Sequence, residues 1–169
     1  DYRFIFVGKA DAVPRYYDTV RALIAEYRML PERFLFVGAV PTAELATYYR
    51  HAHAYVSLSE HEGFCAPLVE SMAMDVPILA YAAAAVPETL GGAGVSFAPK
   101  DLEYAAELLG TLVYDQPVRD RVLAGAHDVA GQVEDGTGGG VPGAGRIARR
   151  IEELVEPVVE GEADLDLLV

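Results

Sequence analysis

Apolar and polar positions come in short alternating blocks along this chain. Apolar runs at residues 4–7, 34–37, 54–58, 78–81 and 94–97 have the length of buried strands, and the first two end on Gly8 and Gly38. Between them, residues 14–27 carry Tyr17, Val20, Leu23, Ile24 and Tyr27 near helical spacing, a face that one helix can bury. Thr42 is suited to cap a short helix through Leu45, Tyr48 and Tyr49, because its hydroxyl can accept from an early helical N–H. Pro67 suits the first position of a helix running through Met74, Pro87-Glu88 opens a short helix to Leu90, and residues 102–114 form a further helix. Five strands alternating with helices imply an α/β, Rossmann-like three-layer domain with a mostly parallel sheet. Right-handed crossovers then bring the strand-to-helix loops to one edge of that sheet.

The pattern changes towards the C-terminus. Glu134-Asp135-Gly136-Thr137-Gly138-Gly139-Gly140 and the Val141-Pro142-Gly143-Ala144-Gly145 that follows have linker composition. Ile147, Ile151, Leu154 and Val158 form a stripe suited to one more helix, and the residues from Glu160 are acidic. The expected organisation is a Rossmann-like domain over 1–130, a Gly-rich linker over 131–146, and a helix with an acidic tail over 147–169.

Composition narrows the classes. A chain of 169 residues with 52% apolar content can bury the core of one domain. No run reaches the roughly 18 uninterrupted apolar residues of a membrane helix. The chain opens directly on a strand, which suggests a piece of a longer protein with no signal peptide in view. A formal charge of −13 argues against a general nucleic-acid surface, so a phosphate site must be local, built from backbone N–H groups and one or two cations. The single cysteine, Cys65, excludes an internal disulfide and fits a cytoplasmic protein.

The segment from Ser59 to Glu70 concentrates the chemistry. Between an expected strand and an expected helix it places Glu62 and Glu70, eight positions apart, with Gly63 and Pro67 between them. Open α/β sheets bind ligands at such junctions. With Pro67 as the first helical residue, Ala66 is the cap and has no side chain to satisfy the first N–H groups, which favour an anion. Gly63 allows close approach to the backbone. Carboxylates repel a diphosphate, so Glu62 and Glu70 suit hydroxyl groups instead. A nucleotide sugar offers both phosphate and hydroxyls.

These residues carry a family resemblance. Glu62-Gly63-Phe64-Cys65-Ala66-Pro67-Leu68-Val69-Glu70 resembles the E-x7-E segment of the retaining group 1 glycosyltransferases, whose fold is GT-B. The likeness continues through Ser71-Met72-Ala73-Met74-Asp75-Val76-Pro77-Ile78, Val86-Pro87-Glu88-Thr89-Leu90 and Gly92-Ala93-Gly94. It is also present at Phe6-Val7-Gly8-Lys9 and Phe36-Val37-Gly38. It covers residues 3 to about 125. Cys65, Asp75 and Ala84-Ala85 stand where the family commonly carries glycine.

The resemblance implies one half of a GT-B fold, the domain that binds the nucleotide-sugar donor. It implies catalytic roles for Glu62, which would meet hydroxyls of the donor sugar, and for Lys9, which would face the donor phosphates. Gly63 and Phe64 would offer backbone N–H groups, Glu70 would accept from the ribose hydroxyls, and Gly8, Gly38, Cys65 and Ala66 complete the expected donor site. The family's second basic residue, usually part of a K-G pair, has no counterpart in residues 10–14, and Arg15 is the nearest cation. No cofactor and no metal are implied. The implied partners are a nucleotide sugar and an N-terminal acceptor domain absent from this chain, which could also supply peripheral membrane association. Apolar surface meant for that half would favour homodimerisation of the isolated domain.

Plainer readings exist for each residue. Glu70 in a helix's first turn can simply complement the helix dipole. Lys9 alone reads as a solvated lysine, and Cys65 as a small buried residue without an activating base. His51, His53, His61 and His127 lack metal-ligand spacing, and Tyr48-Tyr49 reads as a pair split between core and rim. At the level of function, half of a GT-B sugar-nucleotide epimerase and a non-catalytic nucleotide-binding or assembly domain stand as alternatives.

Overall fold

The structure is a computed structural model that describes residues 2–9 and 13–134, the stretch 127–134 as backbone alone. The chain divides into two compact units, one up to Leu45 and one from Ala46 onward. Every strand pairing among the described residues is parallel, and strands alternate with helices as the sequence pattern predicts. The five strands, however, form two ladders of two and three strands.

In the first unit, β1 (Phe4–Val7) pairs with β2 (Phe34–Gly38), and α1 (Pro14–Glu26) with a 3-10 turn (Pro31–Arg33) connects them. Aromatic rings hold this pair together: Phe6 stacks on Phe36 at 4.7 Å between centroids, and Tyr17 of α1 meets Phe36 edge-on at 5.0 Å. The register slips after Phe6, so that Val7 pairs with Gly38. Gly8 N–H then donates to the Gly38 carbonyl at 2.8 Å. Both glycines hold positive φ (146° and 77°), which is why the two strand ends require glycine.

Helix α2 (Thr42–His51) starts at Thr42 itself, one residue earlier than a Thr42 cap would allow. From Ala46 onward the second unit contains β3 (Tyr55–Ser57), α3 (Ala66–Ala73), β4 (Ile78–Tyr81), α4 (Val86–Leu90), β5 (Val95–Phe97), α5 (Leu102–Tyr114) and α6 (Gln116–Glu134). The strands lie in the order β3-β4-β5, so β4 is central and buried on both faces. Ile78 and Ala80 join a cluster with Leu68 and Met72 of α3, while Leu79 on the opposite face joins Phe97, Ala105 and Leu112. Alternation along one strand thus produces the helix–sheet–helix layering.

Gly94 fits this packing sterically. A Cβ there would lie 2.9 Å from Leu90 Cδ1 and 3.1 Å from the Ile78 carbonyl oxygen, so no side chain is accommodated between α4 and β4. Helix α5 begins where its cap dictates: the Asp101 carboxylate accepts from the N–H groups of Glu103 and Tyr104 at 3.0 and 3.1 Å.

Helix α6 lies where the sequence pattern gives no helix. Its signal is local: Asp115 accepts from the Val118 N–H at 3.1 Å, and Pro117 occupies the first turn. The helix runs through Glu134, so residues 131–134, the start of the expected linker, are helical. The rest of that linker and the expected helix and tail over 147–169 lie outside the described residues. Among the described residues no helix is long and apolar enough to cross a membrane.

Candidate functional site

The junction between β3 and α3 is built as a strand, a loop and a helix opened by an unusual residue. Cys65, not Ala66, precedes the helix, with φ 56° and ψ 63°, and Pro67 is the second helical residue. The shift of one position arises because the chain turns sharply in the left-handed region at Cys65. No side chain caps this helix start, but Pro67 has no N–H and the Leu68 N–H donates to the Cys65 carbonyl at 2.9 Å, so of the first three helical residues Ala66 carries the amide that can face a ligand.

Asp75 and Ala84 also have positive φ, 56° and 49°. These are positions where the resembled family commonly carries glycine. The backbone therefore keeps the glycine conformation where this sequence has a side chain.

Glu70 lies on α3 and is only 7% exposed. The Tyr49 hydroxyl, itself in a residue 8% exposed, donates to Glu70 Oε2 at 2.9 Å. Burial, reinforced by the Glu70 charge, pushes the Tyr49 phenol well above its ordinary pKa, so it remains a donor. Tyr55 of β3 packs beside Tyr49 at 6.4 Å between ring centroids. Its phenol is also raised, first by burial and then by the charges of neighbours that include Glu62. Among the described residues no buried side-chain N or O lacks a hydrogen-bond partner. Tyr49 is the residue the sequence pattern misses, because its partner lies on another helix 21 positions away.

Glu62 is half-buried and Gly63 exposed. Gly63 has no positive φ, and a Cβ there would meet nothing within 4 Å. Neither conformation nor packing therefore requires glycine at this position. Phe64 is half-buried, and its carbonyl accepts from the Thr89 hydroxyl at 2.8 Å. Cys65 is buried, and Ala66 is exposed. Burial and then the Glu62 charge push the Cys65 thiol up, which leaves it unsuited to act as a nucleophile.

The loop before Glu62 is held by a lysine from the segment between β5 and α5. Lys100 Nζ donates to the Leu58 carbonyl at 2.9 Å and to Glu60 Oε1 at 2.7 Å, and lies 5.2 Å from the centre of the Tyr81 ring. The hydrogen bond from Lys100 holds the Glu60 carboxyl below its ordinary range.

In the first unit, Gly8 and Gly38 form the tied strand ends described above, and Lys9 follows as an exposed residue. Arg15 is exposed in the first turn of α1. Among the histidines, His51 Nδ1 lies 2.9 Å from the Thr47 carbonyl, the His53 carbonyl accepts from Arg119, and His61 is exposed. No group of three or more His, Cys, Asp or Glu residues with metal-binding geometry occurs among the described residues.

Comparison with known proteins agrees with this architecture. Residues 1–128 match the model of the family described as glycosyl transferases group 1. The O-antigen chain mannosyltransferase B of Escherichia coli is 33% identical over 81 residues, which cover 47% of this chain and 21% of that enzyme. This chain thus spans about a fifth of the curated relative it matches. Among solved structures, Anabaena Alr3699/HepE in complex with UDP-glucose superposes with a TM-score of 0.71 at 20% identity, covering 89% of this chain and 40% of that one. HepE in complex with UDP and glucose gives 0.70 at 19% identity, with 89% and 39% covered. These structures share its fold, and with a family match across most of its length the chain belongs to the group 1 glycosyl transferases.

Proposed function

We propose that this chain is the donor-binding half of a GT-B enzyme that transfers a sugar from a nucleotide sugar to an acceptor hydroxyl, with retention at the anomeric carbon. The observation that carries the reading is the β3–α3 junction: a buried, hydrogen-bonded Glu70 behind a helix start that no side chain caps. Glu70 accepts from the ribose hydroxyls, while the Ala66 N–H and the positive end of the α3 dipole meet negative charge on the phosphates. Glu62 accepts from sugar hydroxyls. Gly63, where glycine has no structural need, leaves room for the sugar against the backbone. The neighbours' ligands, UDP-glucose and UDP with glucose, support a nucleotide sugar as the donor.

The sequence resemblance gives Lys9 a phosphate-facing role, in which it would stabilise the departing diphosphate. No metal is required in this scheme, so donor binding persists in chelator. The acceptor site lies in a domain outside this chain, so the chain binds donor but turns it over poorly.

Calorimetric titration with UDP, GDP and ADP and their glucose and mannose conjugates tests the reading. Binding of at least one is expected, weakened by Glu70→Ala and, separately, by Lys9→Ala. Absence of binding to all of them overturns the donor role. Binding unchanged in Glu70→Ala overturns the ribose contact, and robust transfer by the isolated chain overturns the division of labour.

A further inference from the structure

We infer that Tyr49 is a positioning residue for ribose recognition, presetting the Glu70 carboxylate through its hydroxyl so that the site selects nucleotides bearing a ribose diol. The inference rests on the donor-binding reading above and adds to it a residue from a different helix.

The arrangement is costly. A carboxylate taken out of water needs hydrogen-bond donors, and a buried phenol needs an acceptor. Two apolar side chains would fill the same space with neither requirement, so the pair is a poor device for stability alone. It is a good device for orientation. Glutamate has a long, flexible side chain, and ordering it on ligand binding would weaken affinity. Tyr49 removes that freedom in advance. Its ring is buried beside Tyr55, and its hydroxyl holds Oε2 at 2.9 Å.

The bond also has one polarity only. The phenol is held protonated, so it donates and the carboxylate accepts. A carboxylate has about four lone-pair sites, so one carboxylate can accept from Tyr49 and from a diol together. Helices α2 and α3 thus cooperate at one carboxylate: α3 carries it, and α2 aims it.

The test compares affinities for UDP and GDP with those for their 2′,3′-dideoxy analogues, in the wild-type chain, Tyr49→Phe and Tyr55→Phe. Wild type is expected to favour the ribonucleotide. Tyr49→Phe should reduce that preference about tenfold, through weaker ribonucleotide binding, with dideoxy affinity little changed. Tyr55→Phe, which removes a neighbouring half-buried phenol, should keep the preference. If Tyr49→Phe does not fold, Tyr49→Met fills the space without a donor and carries the same expectation.

A wild type that binds nucleotide with no ribose preference sinks the ribose contact of the proposed function itself. A wild-type preference that survives intact in Tyr49→Phe overturns the role of Tyr49 alone. Equal losses for ribo- and dideoxynucleotides in Tyr49→Phe, or loss of the preference in Tyr55→Phe, would make the pair a packing element and also overturn it.

Discussion

The hydroxyl of Thr89, in α4, donates to the carbonyl of Phe64 at 2.8 Å and ties that helix to the loop between the two acids. The bond fixes the peptide that leads into Cys65, and hence the angle at which α3 begins. Thr89→Val keeps the shape and removes the donor. It should lower stability by about 1–2 kcal/mol in urea unfolding. Nucleotide affinity should fall too, because the start of α3 loses its fixed direction. An unchanged midpoint and unchanged affinity would show that the loop is held without this bond.

Backbone conformation gives a prediction of opposite sign. Ala84 is exposed and has φ 49°, so Ala84→Gly relieves strain and should raise stability by about 0.5–1 kcal/mol. Gly94→Ala should do the reverse, because its Cβ meets backbone and side-chain atoms; a loss of about 1–3 kcal/mol is expected. Chemical denaturation of both variants reads the two effects. Cys65→Gly is a less clean probe, since the relief of strain is offset by loss of a buried side chain.

The chain contains ten tyrosines, and two of them should behave differently from exposed ones. Tyr49 and Tyr55 have raised pKa values in the folded protein, while an unfolded tyrosine ionises near pH ~10. The folded state therefore holds these protons more tightly. Their contribution to stability is complete below pH ~10 and is lost as pH rises above it. Unfolding free energies measured on either side of that pH should decline steeply in the wild type and less steeply in Tyr49→Phe and Tyr55→Phe. Identical slopes would exclude the effect.

Cys65 offers a probe of local opening. With its thiol buried and its pKa raised, it should react with a small disulfide reagent at least about tenfold more slowly than free cysteine, and at a normal rate in denaturant. Rapid modification of the native chain would place the thiol in solvent and contradict the buried left-handed turn.

Features made by neighbouring residues were legible in the sequence, and features made across the fold were not. Apolar runs ending on glycine marked β1 and β2, and α5 runs over Leu102–Tyr114 as its pattern predicts, because Asp101 is a strong local cap. The E-x7-E spacing located the β3–α3 junction. Its helix start was displaced by one residue because alanine and cysteine at a cap carry no signal of a left-handed turn. Helix α6 was missed although Asp115 and Pro117 announce it, since the apolar pattern after Tyr114 is weak. Tyr49, Thr89 and Lys100 were invisible for another reason. Each acts on a residue 21 to 42 positions away, a relationship that only packing creates.

Lys100 sits directly before the cap of α5, yet it grips Leu58 and Glu60 at the end of β3. The β5–α5 connection is therefore a spacer of fixed length for the loop that carries Glu62. Over evolutionary time, insertions there should be rarer than in the other connections of the second unit. A single added residue would draw the lysine off its carbonyl and shift the loop that carries Glu62 with it.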